Sequence, residues 1–194
     1  MKFLKENKEI LLFVGKTAIL CIVYFYLLEP KIMQQYTPYL LNPNISLPSI
    51  LEEYWLIIIN HTMVLLTHST VFVLGLLGYE AEVIRYSQVD LYDSVYNVLY
   101  GPQCLGLGMM FTLSALIISY PGSWLNRLWF IPAGIIGIFS INIIRAVGLC
   151  LSIIYYGRHD FLDTHDLYNI VATIFIFLMF IIWVRISQKT TAAV

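Results

Sequence analysis

Residues 128–156 read LWFIPAGIIGIFSINIIRAVGLCLSIIYY, with one charge, Arg145, in an otherwise apolar run. At about 1.5 Å per residue such a segment outruns the roughly 30 Å hydrocarbon core of a bilayer, so it reads as a tilted membrane span. The rest of the chain agrees. Of 194 residues, 59% are hydrophobic and 12% charged, about half the charged share of a typical soluble domain. Mean hydropathy is +0.78. The expected fold is an all-α integral membrane protein forming one membrane domain over 1–194. A net charge of −1 and the lack of a basic run beyond the N-terminus argue against nucleic acid as a partner.

Outward from this segment, four spans are expected, at about 10–28, 104–120, 128–156 and 167–186. Lys2, Lys5 and Lys8 precede the first, which looks like a signal peptide but is too long and lacks a small-x-small cleavage site. Residues 29–53 form a loop rich in Pro and Asn. Residues 79–103 alternate in places, as in Val89-Asp90-Leu91-Tyr92 and Val95-Tyr96-Asn97-Val98, which predicts short strands outside the membrane.

Charge sets the orientation. Lys2, Lys5 and Lys8, then Arg127, then Arg185 and Lys189 all mark the cytoplasmic side under the positive-inside rule. Both termini are then cytoplasmic. Parity allows one crossing before residue 104, so residues 54–78, with His61 and His68 at mid-length, are expected to be interfacial or re-entrant rather than spanning.

An ionisable residue inside a membrane segment is costly and by default functional. From Arg127 to Arg145 is eighteen residues, which raises Arg145 by about 27 Å, close to the outer surface. Asn142 lies three residues earlier on the same face. The structural alternative is an arginine snorkelling to the outer headgroups. Cys104 follows Gly101-Pro102-Gln103 at a helix start, where the helix dipole favours a thiolate. Cys21 and Cys150 lie within helices, as packing residues. His165 opens the last span at the same face, flanked by Asp163 and Asp166. A thiol, a base and a fixed cation are the parts of thiolate attack, proton transfer and oxyanion stabilisation.

At these residues the chain resembles the exosortase/archaeosortase family of membrane-embedded cysteine transpeptidases and proteases. The matching features are Cys104-Leu105-Gly106, Asn142-Ile143-Ile144-Arg145 and His165. Tyr120-Pro121-Gly122 followed by Leu128-Trp129-Phe130-Ile131-Pro132-Ala133-Gly134 resembles the short Gram-negative members. Leu105 departs from the Ser or Ala usual after the cysteine, and the likeness covers about 75–186. It implies processing of C-terminal sorting signals at the outer, periplasmic face of the bacterial cytoplasmic membrane. Cys104 would be the nucleophile, Arg145 the stabilising cation, Asn142 a supporting residue and His165 the proton carrier.

The implied partners are exported proteins with a C-terminal motif, a transmembrane helix and a basic tail, with water or a glycolipid or polymer amine as acceptor, in contact with membrane lipids. No cofactor or metal is expected; His159, Asp160, Asp163 and His165 read as a polar loop. Two rival readings are a non-catalytic membrane scaffold that uses Ala133, Gly134, Gly137 and Ser140 to pack helices, and a small transporter.

Overall fold

The computed structural model describes residues 8–24, 49–85, 88–92, 98–156 and 164–192. Among them five helices dominate: α1 (Lys8–Val23), α2 (Ser49–Leu76), α3 (Leu107–Ser119), α4 (Trp124–Tyr156) and α5 (Thr164–Ala192). Among the described residues three stretches are long and apolar enough to cross a membrane by length and composition: Glu53–Leu76, Trp124–Tyr156 and Leu167–Gln188. Large apolar side chains face outward along the helices, among them Leu128, Ile136, Ile144 and Phe177. That surface suits lipid and would be costly in water. This is a membrane protein.

The expected strands form a small antiparallel sheet of β1 (Ala81–Arg85), β2 (Gln88–Leu91) and β3 (Val98–Leu99), in that order. Val83 pairs with Val89, and Val89 with Val98. Alternation explains the burial: Val89 and Leu91 point into the protein while Tyr92 faces out, where its hydroxyl donates to Glu82 across the ladder at 2.6 Å. Residues 93–97, part of the second alternating stretch, lie outside the described residues. Gly78, at φ 87°, ends α2. The Tyr79 N–H bonds the Leu74 carbonyl and the Gly78 N–H that of Gly75, a Schellman stop that turns the chain into the sheet.

Aromatic contacts give the helix directions. Phe13 of α1 meets Tyr120 and Phe180, each at 5.7 Å between ring centroids, while Tyr24 stacks on Phe111 at 4.6 Å. Helix α1 therefore runs antiparallel to α3, with its N-terminus at the Tyr120 end. On α2, Trp55, Ile58 and Thr62 share a pocket with Ile135 and Phe139 of α4. Further along, Thr70 faces the Tyr100 hydroxyl, which reaches the Ala146 carbonyl. The order is the same on both helices, so α2 stands alongside α4 and runs with it. The segment 54–78, expected to be interfacial or re-entrant, is thus aligned with a helix long and apolar enough to cross a membrane.

Two cores result. One gathers Ile59, Met63, Leu66, Val89, Leu105, Ala146 and Cys150 at the sheet end. The other gathers Met110, Leu113, Ile117, Phe130, Ile138, Ile176 and Trp183. Here Gly134 lies against Leu113 and Gly137 against Phe175, so tightly that a Cβ at either would collide; the exposed Ala133 and Ser140 pack less closely. Helix α4 begins a turn earlier than expected, at Trp124, and continues through Pro132.

Candidate active site

Cys104 does not sit in a spanning helix. Pro102–Leu105 forms a 3-10 turn, Gly106 follows with φ 68° in the left-handed region, and α3 starts at Leu107. The fixed φ of Pro102 suits the first position of such a turn. The Cys104 N–H bonds the Gly101 carbonyl at 2.8 Å, and Leu105 is fully buried as the turn's anchor. The thiol is left half-buried on a tight corner.

Helix α4 supplies the opposite wall. The buried Asn142 donates its side-chain amide to the Cys104 carbonyl. One turn on, Arg145 Nη2 stands 4.0 Å from Cys104 Sγ. The spacing of three residues is what lets one helix face hold the turn's backbone and its side chain at once. Helix α5 closes the site from a third side. Tyr168 lies under the Arg145 guanidinium, 5.0 Å from ring centroid to Cζ, and its hydroxyl packs on Gly106 where a Cβ would collide. Asn142 Oδ1, Arg145 Nε and the Tyr168 hydroxyl are buried with no hydrogen-bond partner among the described residues.

A second clamp lies behind. Tyr100, just before the turn, is buried and bonds the Ala146 carbonyl at 3.3 Å and the Cys150 sulfur at 3.2 Å. It ties the entry to the Cys104 turn to the residue after Arg145. Burial, reinforced by Cys150, pushes the Tyr100 hydroxyl far above the ordinary tyrosine range.

A cavity of about 530 Å³ opens between α4 and α5, lined by Ile144, Arg145, Gly148, Leu151, Tyr168 and Val171 among others. Its lining is mostly apolar, with Arg145, Ser152 and three tyrosines as the polar members. Among the described residues no three His, Cys, Asp or Glu side chains come together as metal ligands.

Cys104, Asn142 and Arg145 are thus brought together from two separate segments. His165 belongs to the first turn of α5, three residues before Tyr168; its side chain lies outside the described residues, as does the loop with His159, Asp160 and Asp163. Cys150 packs in the core as expected. The sequence reading missed Tyr168 and Tyr100; the i, i+3 step from His165 was the available signal for the first.

The sequence model of the transmembrane exosortases matches residues 4–184. The chain belongs to this family. No curated protein and no solved structure matches it. Exosortases are generally cysteine peptidases or transpeptidases of membranes. Cys104, Asn142 and Arg145, at which the sequence resembles this family, meet at one corner of the fold.

Proposed function

We propose that this exosortase is a cysteine transpeptidase or protease that processes C-terminal sorting signals of exported proteins at the outer face of the cytoplasmic membrane. The reading rests on one observation: the Arg145 fork is 4.0 Å from the Cys104 sulfur while Asn142 fixes the Cys104 backbone. A cation so placed stands ready for the charge that develops on an attacked carbonyl.

In the proposed reaction the Cys104 thiolate attacks a peptide carbonyl carbon near the membrane surface, and the carbonyl oxygen takes the negative charge beside Arg145. The oxyanion collapses, the C–N bond breaks, and the departing amine takes a proton from His165. A thioester remains. His165 then removes a proton from water or an acceptor amine, which attacks the thioester and releases the Cys104 thiolate.

Charge supports the proposed orientation. The end opposite Cys104 carries Arg127, half wrapped by Trp124 and donating to the Tyr120 carbonyl at 2.9 Å. The N-terminal half of α1 and the C-terminal half of α5 meet at that end. The Cys104 end carries Glu80, Glu82 and Asp90 in and beside the sheet. Basic residues at the end opposite Cys104 support a thiol that faces outward. The test is co-expression with exported proteins bearing a C-terminal helix and basic tail. A mass shift that needs Cys104 supports the proposal. Unchanged substrates across a panel of tails would favour the scaffold reading.

A further inference from the structure

Arg145 poses a problem the proposed chemistry does not solve. Its side chain is long and flexible, its Nε has no hydrogen-bond partner among the described residues, and outer headgroups are within reach of a snorkelling guanidinium. Yet its fork faces Cys104. What remains to hold it is the face of Tyr168.

We propose that Tyr168 is a positioning residue for the reaction, its ring holding the Arg145 guanidinium on the Cys104 thiol. This rests on reading Cys104 as the nucleophile. Tyr168 is 5% exposed and Arg145 is half-buried over its ring, where a cation–π contact biases the arrangement by a factor of roughly two to thirty. The ring itself is fixed. Its backbone lies in the second turn of α5, and its hydroxyl is lodged against Gly106, the residue that joins the Cys104 turn to α3. One side chain from α5 thus touches both the cation on α4 and the corner that carries the thiol. It aligns three segments at the reacting atom. A Leu at 168 would fill much of the space but offer the guanidinium no π face.

Alkylation of Cys104 by iodoacetamide tests this without any substrate, since the reagent reacts with the thiolate. The purified protein carries Cys21→Ala and Cys150→Ala, leaving one thiol, and rates are taken from weakly acidic to alkaline pH. Tyr168→Leu should slow alkylation at neutral pH by roughly tenfold. Tyr168→Phe, which keeps the ring, should stay within roughly threefold of the parent. With Arg145→Met already present, Tyr168→Leu should change nothing further, because its effect passes through the cation. Should Tyr168→Leu lower abundance, Tyr168→Met, also without a π face, takes its place.

An unchanged alkylation rate in the Leu and Met variants, or an equal slowing with and without Arg145, would overturn the proposal. Processing of a tailed substrate separates the two claims. Coupled alkylation in a protein that processes no substrate keeps the hold of Tyr168 on Arg145 and removes the transpeptidase reading. Uncoupled alkylation with normal processing does the reverse.

Discussion

Arg145 and Cys104 come from helix α4 and from a turn 41 positions earlier in the chain, and they meet at 4.0 Å from guanidinium nitrogen to sulfur. Asn142 makes that distance a fixed one, because its amide holds the Cys104 carbonyl from the same helix face. A planar fork can address a thiolate and an incoming carbonyl oxygen together, whereas an ammonium is a point charge on a shorter reach. Arg145→Lys should therefore lower turnover by roughly a hundredfold or more, the scale of losing an oxyanion donor. Membrane abundance should stay near the parent level. Full activity of the Lys variant, measured on a processed substrate, would make Arg145 an anchor at the membrane surface instead.

Gly106 and Tyr168 make a second, paired prediction. An Ala at 106 would occupy the left-handed region, which costs a non-glycine residue about 1 kcal/mol, and would also press on the Tyr168 hydroxyl. Gly106→Ala should lower thermal stability in detergent. Adding Tyr168→Phe removes the colliding oxygen and should restore part of the loss, a coupling of about 1 kcal/mol. Strictly additive losses would show that the backbone conformation alone demands glycine there.

The membrane character was legible because composition and long apolar runs report on solvent directly, and the sheet because alternation at Val89 and Leu91 matches burial on one face. Cys104, Asn142 and Arg145 were legible from polarity out of place and from family likeness. Tyr168 was not. A tyrosine at the start of an apolar helix is an ordinary interfacial residue by sequence, and only the packing of α5 against Gly106 and Arg145 gives it a role. Parity counts crossings between charges and takes no account of packing, in which α1 and α2 both run toward the Cys104 end.

Tyr100 makes stability depend on alkaline pH. Its hydroxyl is held well above the ordinary tyrosine range, first by burial and then by Cys150. The unfolded chain releases this proton near pH 10 while the folded chain keeps it, so the unfolded state binds fewer protons and stability falls as pH rises beyond about 10. Below that pH the contribution is complete. Tyr100→Phe gives up two hydrogen bonds, about 1 kcal/mol at neutral pH. It should flatten the alkaline fall in melting temperature relative to the parent. Parallel curves for the two proteins would mean that other tyrosines govern the alkaline limb.

The crossing of α2 is the prediction most exposed to refutation. Sequence alone favoured an interfacial helix over 54–78, because Lys2, Lys5 and Lys8 place the N-terminus inside and one crossing suffices to bring Cys104 outside. The packing argues otherwise. Helix α2 has 28 residues, about 42 Å at the usual rise. Its contacts follow α4 in step, from Trp55 beside Ile135 to Thr70 beside the Tyr100 that caps Ala146. A helix lying in the interface would cross α4 and meet it at one level only. We therefore expect residues 53–76 to pass through the bilayer with their C-terminal end outside, next to the sheet. Single cysteines at Ser46 and Tyr79, in a protein carrying Cys104→Ala, decide the matter with a membrane-impermeant maleimide on intact spheroplasts. Tyr79→Cys should label and Ser46→Cys should label only after the membrane is opened. Labelling of both from outside would return the segment to the interface, and the alignment of α2 with α4 would then have to lie above the bilayer rather than within it.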